Sequence, residues 1–136
     1  MKKYYVLGFL FSENCKQVAL IRKLNPTWQA GFLNGIGGKI ELSDDSPFFA
    51  MIREFKEEAG IEIITWKEFC KLTNAYFDVY CYYTFGDLTQ LKSMEEEKVE
   101  IIELENLPNE EVLYNLNWLI PMALDMENIH GEINYR

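Results

Sequence analysis

Basic charge is what this chain most lacks: 13 Lys and Arg stand against 22 Asp and Glu, a formal net charge of −9. Binding a nucleic-acid polymer normally rests on a basic stripe that neutralises phosphates, so a chain with a pI near 4.6 is not expected to bind one. Histidine is nearly missing too. His130 stands alone, and without cysteine or histidine partners it is expected to be structural rather than a zinc ligand. Cys15, Cys70 and Cys81 are odd in number and widely spaced. They fit neither a disulfide framework nor a zinc motif, and point to reduced thiols in a cytoplasmic protein. No apolar run reaches membrane-spanning length. The start, "MKKYYVLGFLFSENC", is too short for a span and reads as a strand, without the longer apolar run and cleavage site of a signal peptide. No internal repeat, low-complexity tract or linker interrupts the chain, so residues 1–136 are expected to form one domain.

What is present is material for a core. Hydrophobic residues make up 49% of the chain and aromatics 15%, which suits a packed globule and excludes disorder. "KKYYVLGFLFS" and "QVALIRKL" are β-rich runs joined by the polar "ENCK", the pattern of a hairpin. A turn-dense stretch leads to a short strand expected around Gly38–Leu42. In "DDSPFFAMIREFKEEAG", Ser46 suits a helix cap, Pro47 the first helical position and Gly60 the position past the end. Phe48, Met51, Ile52, Phe55 and Ala59 recur at helical spacing as a buried stripe, with the glutamates expected on a separate face. "IEIITWKEFCKL" and "NAYFDVYCYYTFG" read as two more strands, and "MEEEKVEIIELENLP" as an acidic loop leading into another. "NLNWLIPMALDMEN" has helical periodicity despite Pro121. The fold class expected is α/β or α+β, a mixed sheet with at least two helices.

One stretch concentrates charge. "REFKEEAGI" places Glu54, Glu57 and Glu58 at i, i+3 and i+4, where like charges repel by a few tenths of a kcal/mol per pair. A divalent cation relieves that repulsion. Mg²⁺ takes hard oxygen ligands, a few from carboxylates and the rest from water and phosphate, and it acidifies a bound water into a nucleophile. A spare carboxylate then serves as general base. A merely solvated acidic face explains the same spacing, and composition alone leaves both open.

Residue order goes further. "GGKIELSDDSPFFAMIREFKEEAGI" resembles the Nudix hydrolase signature: Gly, five residues, Glu, seven residues, Arg-Glu, an aliphatic, any residue, Glu-Glu, any residue, Gly, an aliphatic. Arg53, Glu54, Glu57, Glu58, Gly60 and Ile61 match, and Phe55 replaces the aliphatic. Seven residues back from Arg53 stands Asp45, a shortened acid, and Gly38 is then one residue too distant. The departure falls on loop geometry rather than on metal binding. The resemblance implies a mixed sheet sandwiched between helices, with the signature as loop–helix–loop. It implies attack of water on a phosphoanhydride with Mg²⁺ or Mn²⁺ as cofactor. Glu54, Glu57 and Glu58 become the metal ligands, with Arg53 in the catalytic set and paired to Asp45. Gly37, Gly38 and the backbone of Lys39 would let metal and phosphates approach, and a later-loop carboxylate, Glu96 or Glu97, would join the metal. A solvated charge run is the commoner meaning of "MEEEKVE".

"LNGIGGKIE" and the tail, with Trp-Leu-Ile-Pro followed by His130-Gly131, resemble the MutT-type oxidised-purine nucleoside triphosphatases of the same family. On that resemblance Asn34 contacts the purine, and Asn115 and Leu116 stand where two adjacent aspartates read the oxidised base. An amide both donates and accepts, so a purine pocket still fits. Asn34 would equally serve as a turn residue before Gly35. Trp28 and Phe32 would stack on a base or cover the core, and Trp118 reads as core. Lys23 would meet phosphates or protect a sheet edge. The leading expectation is a Mg²⁺-dependent nucleoside triphosphate pyrophosphohydrolase, monomer or homodimer, with a small nucleotide as its partner and no nucleic acid or membrane. Its alternatives are a hydrolase of ADP-ribose or a dinucleotide, and a nucleotide sensor without turnover.

Overall fold

A computed structural model describes residues 1–125, 127 and 130–135. Along the chain the strands and helices are β1 (Lys3–Ser12), β2 (Gln17–Arg22), β3 (Leu33–Asn34), β4 (Ile36–Lys39), α1 (Pro47–Ala59), β5 (Lys67–Thr73), β6 (Phe77–Gly86), β7 (Lys98–Glu103), α2 (Leu116–Leu124) and β8 (Gly131–Asn134). Short 3₁₀ turns cover Thr27–Gln29 and Leu104–Asn109. The strands form one mixed sheet of eight, in the order β3-β2-β1-β6-β5-β8, with β4 also paired to β1 and β7 to β2. This is the mixed α+β architecture expected from the sequence.

β1 organises the sheet. It runs parallel to β6 from Lys3↔Phe77 to Ser12↔Gly86. On its other edge its first half pairs with β4 (Tyr5↔Lys39, Val6↔Gly38) and its second half with β2 (Leu10↔Ala19). Successive strand residues point to opposite faces, and both faces of β1 are covered. Leu7, Phe9 and Phe11 join Leu116, Leu119, Ile120 and Ala123 of α2 in one core. Val6 and Leu10 join Ala50, Met51, Phe55 and Ala59 of α1 in the other. A strand covered on both sides reads as a continuous apolar run, which is why "VLGFLF" does not alternate.

α1 is punctuated as its sequence dictates. Ser46 Oγ accepts from the Phe49 N–H at 3.2 Å, Pro47 occupies the first turn, and Gly60 closes the helix in the left-handed region at φ 84°. Met51, Phe55 and Ala59 of the expected stripe are fully buried, while Phe48 and Ile52 are only partly so. Glu54 departs from expectation only in its burial. It is set off the stripe as expected but is buried rather than exposed like Glu57, because α1 lies over β4 and position 54 meets Gly38.

Other elements differ in extent. The strand expected around Gly38–Leu42 runs over Ile36–Lys39, since residues 36–39 are those facing Tyr5–Gly8. β5 begins at Lys67, so residues 61–66 carry strand-like composition without a partner. β8 pairs parallel with β5 through Cys70↔Gly131 to Thr73↔Asn134 and was not expected. α2 ends at Leu124; the expected helix also included residues 126 and 128, which lie outside the described residues. Trp118 packs against the α2 core with Tyr135, its ring centroid 6.2 Å away, and His130 Nε2 pairs with Glu68. No helix among the described residues is long and apolar enough to cross a membrane.

Candidate active site

Arg53 is the hub of one side of the site. Its Nε and Nη2 donate to the two oxygens of Asp44 at 2.8 and 2.7 Å, a bidentate pair. Nη1 donates to Glu54 at 3.0 Å and Glu57 at 3.1 Å, and Nη2 also reaches the Lys39 carbonyl at 3.2 Å. The Asp44 carboxyl, held by Arg53, lies below its usual range, and Arg53 is raised in turn by Asp44. The expected pair of Arg53 with Asp45 is therefore corrected: the acid is Asp44, and Asp45 is exposed. The reason is a turn. Asp44 N–H donates to the Glu41 carbonyl while Asp44 Oδ2 accepts the Glu41 N–H at 2.9 Å, which aims position 44 inward. Gly38 and Asp44 are then separated by five residues, as in the signature, and the extra residue falls between Asp44 and Arg53.

Glu54 lies against β4. A Cβ added at Gly38 would sit 2.5 Å from the Glu54 carboxylate, so only glycine admits this approach. Burial pushes the Glu54 carboxyl up, against the pull of Arg53. Glu57 is exposed and shares Arg53.

Glu58 faces a different environment. It is half-buried, and its Oε2 is buried without a hydrogen-bond partner. Burial, then the charges of Glu95, Glu54 and Glu97, push its pKa up to about 7. With Glu95, Glu96, Glu97 and Asn25 it lines a hollow of about 310 Å³. The acidic loop reaches this place through main-chain bonds: Lys92 N–H donates to the Ala59 carbonyl and Met94 N–H to the Glu58 carbonyl, each at 3.0 Å. Among the described residues no three His, Cys, Asp or Glu side chains converge as a ready-made metal cluster, because Arg53 draws Glu54 and Glu57 to itself. The donor set nonetheless fits a hard divalent cation. A buried carboxylate oxygen with no donor, surrounded by further carboxylates, lacks only positive charge.

Glu97 is already engaged. Its Oε1 accepts from Lys23 Nζ at 2.9 Å, and its Oε2 accepts the N–H groups of Leu24 at 2.7 Å and Asn25 at 3.1 Å. Burial would raise its pKa, but these donors hold it below the usual range. With both oxygens accepting, Glu97 ties Lys23, Leu24 and Asn25 while it also lines the hollow beside Glu58. Glu96 stays at the hollow, exposed beside Glu95.

Across Lys23 opens a cleft of about 520 Å³. Lys23, Asn34, Gly37, Gly38 and Asn115 line it, as the sequence suggested, whereas the Lys39 ammonium does not. Asn34 Oδ1 accepts the Gly35 N–H at 2.8 Å, and its amide nitrogen faces Gln29 Oε1 at 3.4 Å. Asn115 Oδ1 is buried without a partner. Trp28, 70% exposed, lines the cleft, whereas Phe32 does not. Sequence reasoning missed Gln29, Tyr5, Phe77, Tyr114 and Tyr135, all of which line it. Among the described residues no carboxylate does.

The NUDIX domain family matches residues 1–131. The chain belongs to this family and is a Nudix hydrolase, whose members generally use divalent metal ions. Solved structures share the fold at low identity. A MutT protein, from work on Aliivibrio salmonicida and Vibrio cholerae, is similar at TM-score 0.78 and 19% identity, over 91% of this chain and 98% of that one. The NUDIX domain of Shewanella oneidensis NrtR, complexed with ADP ribose, gives TM-score 0.78 at 17% identity over 89% and 85%. A NUDIX family hydrolase from Clostridium perfringens gives 0.74 at 20% identity over 94% and 99%. A search of curated proteins finds no match.

Proposed function

We propose that this chain hydrolyses a purine nucleoside triphosphate to the monophosphate and pyrophosphate with Mg²⁺, as a single-domain cytoplasmic enzyme. The observation that carries the reading is Gly38, which touches both halves of the site. It lies against the Glu54 carboxylate and also lines the aromatic cleft. A phosphate chain running past Gly37 and Gly38 would place its base among Trp28, Tyr114, Asn34 and Asn115. Aromatic faces take a planar base, and neutral amides read its edge by donating and accepting. Mg²⁺ bound by Glu54, Glu57, Glu58 and Glu96 would neutralise phosphate charge and acidify water. Glu58, whose Oε2 has no hydrogen-bond donor, would accept a proton from the attacking water. Arg53 orients Glu54 and Glu57, and the Lys23 ammonium faces the charge that builds on the leaving phosphate. The three unpaired cysteines suit a reducing compartment.

A second reading, cleavage of ADP-ribose or a dinucleotide, is favoured by the equal likeness to the NrtR domain that holds ADP ribose. The test is a product assay with Mg²⁺ and 8-oxo-dGTP, dGTP, dATP, ADP-ribose and a dinucleotide. Monophosphate and pyrophosphate from a triphosphate, lost in Glu57→Gln, support the first reading and name the base. Cleavage of ADP-ribose or the dinucleotide alone supports the second. Binding without turnover of any of them would point to a sensor.

A further inference from the structure

We propose that Glu97 is a positioning residue that rivets the wall between the acidic hollow and the aromatic cleft, and thereby sets where the base side of the substrate is held. The proposal rests on the reading that the cleft takes the base. The wall is the segment from Lys23 to Pro26. Asn25 lines the hollow, while Lys23 and Pro26 line the cleft. The 3₁₀ turn Thr27–Gln29 follows at once, carrying Trp28 and Gln29 into the cleft, and none of its residues is buried. Core packing therefore does not hold it. Its base is tied by the Lys23 N–H to the Phe32 carbonyl and the Gly31 N–H to the Lys23 carbonyl, both at 2.9 Å. The third tie is Glu97, 74 residues from Lys23 in sequence.

Glu97 spends its carboxylate fully on this segment. One oxygen holds the Lys23 ammonium, and the other holds two successive main-chain N–H groups. Hydrogen bonds to a charged acceptor are the strong kind, and the Lys23 and Glu97 side chains are only 20% and 15% exposed. A single carboxylate thus fixes both a cation at the mouth of the cleft and the backbone path that delivers Trp28. Its neighbours Glu95 and Glu96 line the hollow beside Glu58 without accepting from this segment. Adjacent acids of one loop divide the labour, one face toward the chemistry and the other toward recognition.

The test compares wild-type protein with Glu97→Ala, Glu97→Gln and Glu96→Gln. Three quantities are measured: amide exchange at Leu24 and Asn25 without substrate, the midpoint of Mg²⁺ titration, and kcat and KM for the best nucleotide found. Glu97→Ala is expected to speed exchange at both amides roughly tenfold to a hundredfold. It should raise KM and narrow the preference among bases, with a smaller fall in kcat as the Lys23 ammonium loses its anchor, and any shift of the Mg²⁺ midpoint should be smaller than that of Glu96→Gln. Glu97→Gln, whose amide oxygen can accept the same N–H groups, should retain part of the protection and of the KM. Glu96→Gln should shift the Mg²⁺ midpoint and leave exchange at 24 and 25 unchanged. The rivet is overturned if Glu97→Ala leaves that exchange unchanged, or if it shifts the Mg²⁺ midpoint with KM untouched, which would make Glu97 a ligand. Should Glu97→Ala fail to fold, the exchange and KM of Glu97→Gln decide. If the wild type turns over no nucleotide, the proposed function fails, while exchange and titration still judge the rivet.

Discussion

The carboxylates of α1 and the aromatic cleft beyond Lys23 meet at Gly38, which lies against Glu54 and lines the cleft, but they are held in place by different means. Glu54, Glu57 and Glu58 ride on a capped helix whose inner face is locked by Met51, Phe55 and Ala59. Trp28, Gln29, Tyr114 and Asn115 come from a 3₁₀ turn and from the loop before α2. On the proposed reading, chemistry that tolerates little displacement sits on a rigid element, and recognition sits on connections that can be re-cut without disturbing the core. The two regions also differ in charge: one is crowded with carboxylates, whereas among the described residues the other is lined by no carboxylate and by the single ammonium of Lys23.

The sharpest break in that contrast is Glu58→Gln. Steady-state assays should show kcat falling roughly 10²–10⁴-fold, the span of a lost general base, with KM little changed. A large rise in KM instead would move Glu58 to the recognition side. The next effect concerns Arg53. Asp44→Asn should cost about 2–3 kcal/mol in urea unfolding, since it leaves a guanidinium without its bidentate partner in a largely buried place. Asp45→Asn should stay within about 0.5 kcal/mol, and equal losses would contradict the assignment.

Trp28→Ala probes the opposite side. Losing a base-stacking ring is worth about 1–3 kcal/mol, so KM should rise about tenfold while kcat holds. An unchanged KM would remove Trp28 from the binding surface. The smallest effect is in pH. The Glu58 carboxyl is raised from 4.5 to about 7 in the folded protein. Between these values the unfolded chain gives up the proton while the folded one keeps it. Metal-free stability from this group is therefore present below pH 4.5 and lost as pH rises through about 7. Half-exposure screens the loss to about 1 kcal/mol. Thermal melts should show Mg²⁺ stabilising the protein more at pH 8 than at pH 5.5, with the difference reduced in Glu58→Gln, where the raised Glu54 carboxyl still contributes. Equal stabilisation at both pH values would refute the assignment of that proton.

The helix half of the site was legible because helical spacing is rigid: Glu54, Glu57 and Glu58 had to fall within one turn wherever α1 lay. The loop half was legible only to within a residue. Counting back from Arg53 assumed that the extra residue precedes the acid, but the Glu41–Asp44 turn puts it after. The choice of Glu96 or Glu97 depended on a partner, Lys23, that lies far away in sequence. Tyr114 and Gln29 carried no periodic signal, since neither a 3₁₀ turn nor an irregular loop imposes one. β8 escaped notice because four residues beginning with Gly131 become a strand only when β5 offers an edge. The burial of Glu54 was not legible because periodicity gives angles around a helix, not what the neighbouring strand covers.

The loop that carries Glu95 and Glu96 meets the end of α1 through main-chain N–H groups of Lys92 and Met94. Peptide N–H groups are common to every residue but proline, so this junction reads spacing and ignores identity. For protein engineering the segment is a cassette of set length. Apart from Ser93, which accepts the Val99 N–H, and Glu97, which ties Lys23 to Asn25, its side chains can be exchanged to retune the acidic hollow, while inserting or deleting a single residue would break the splice to the helix.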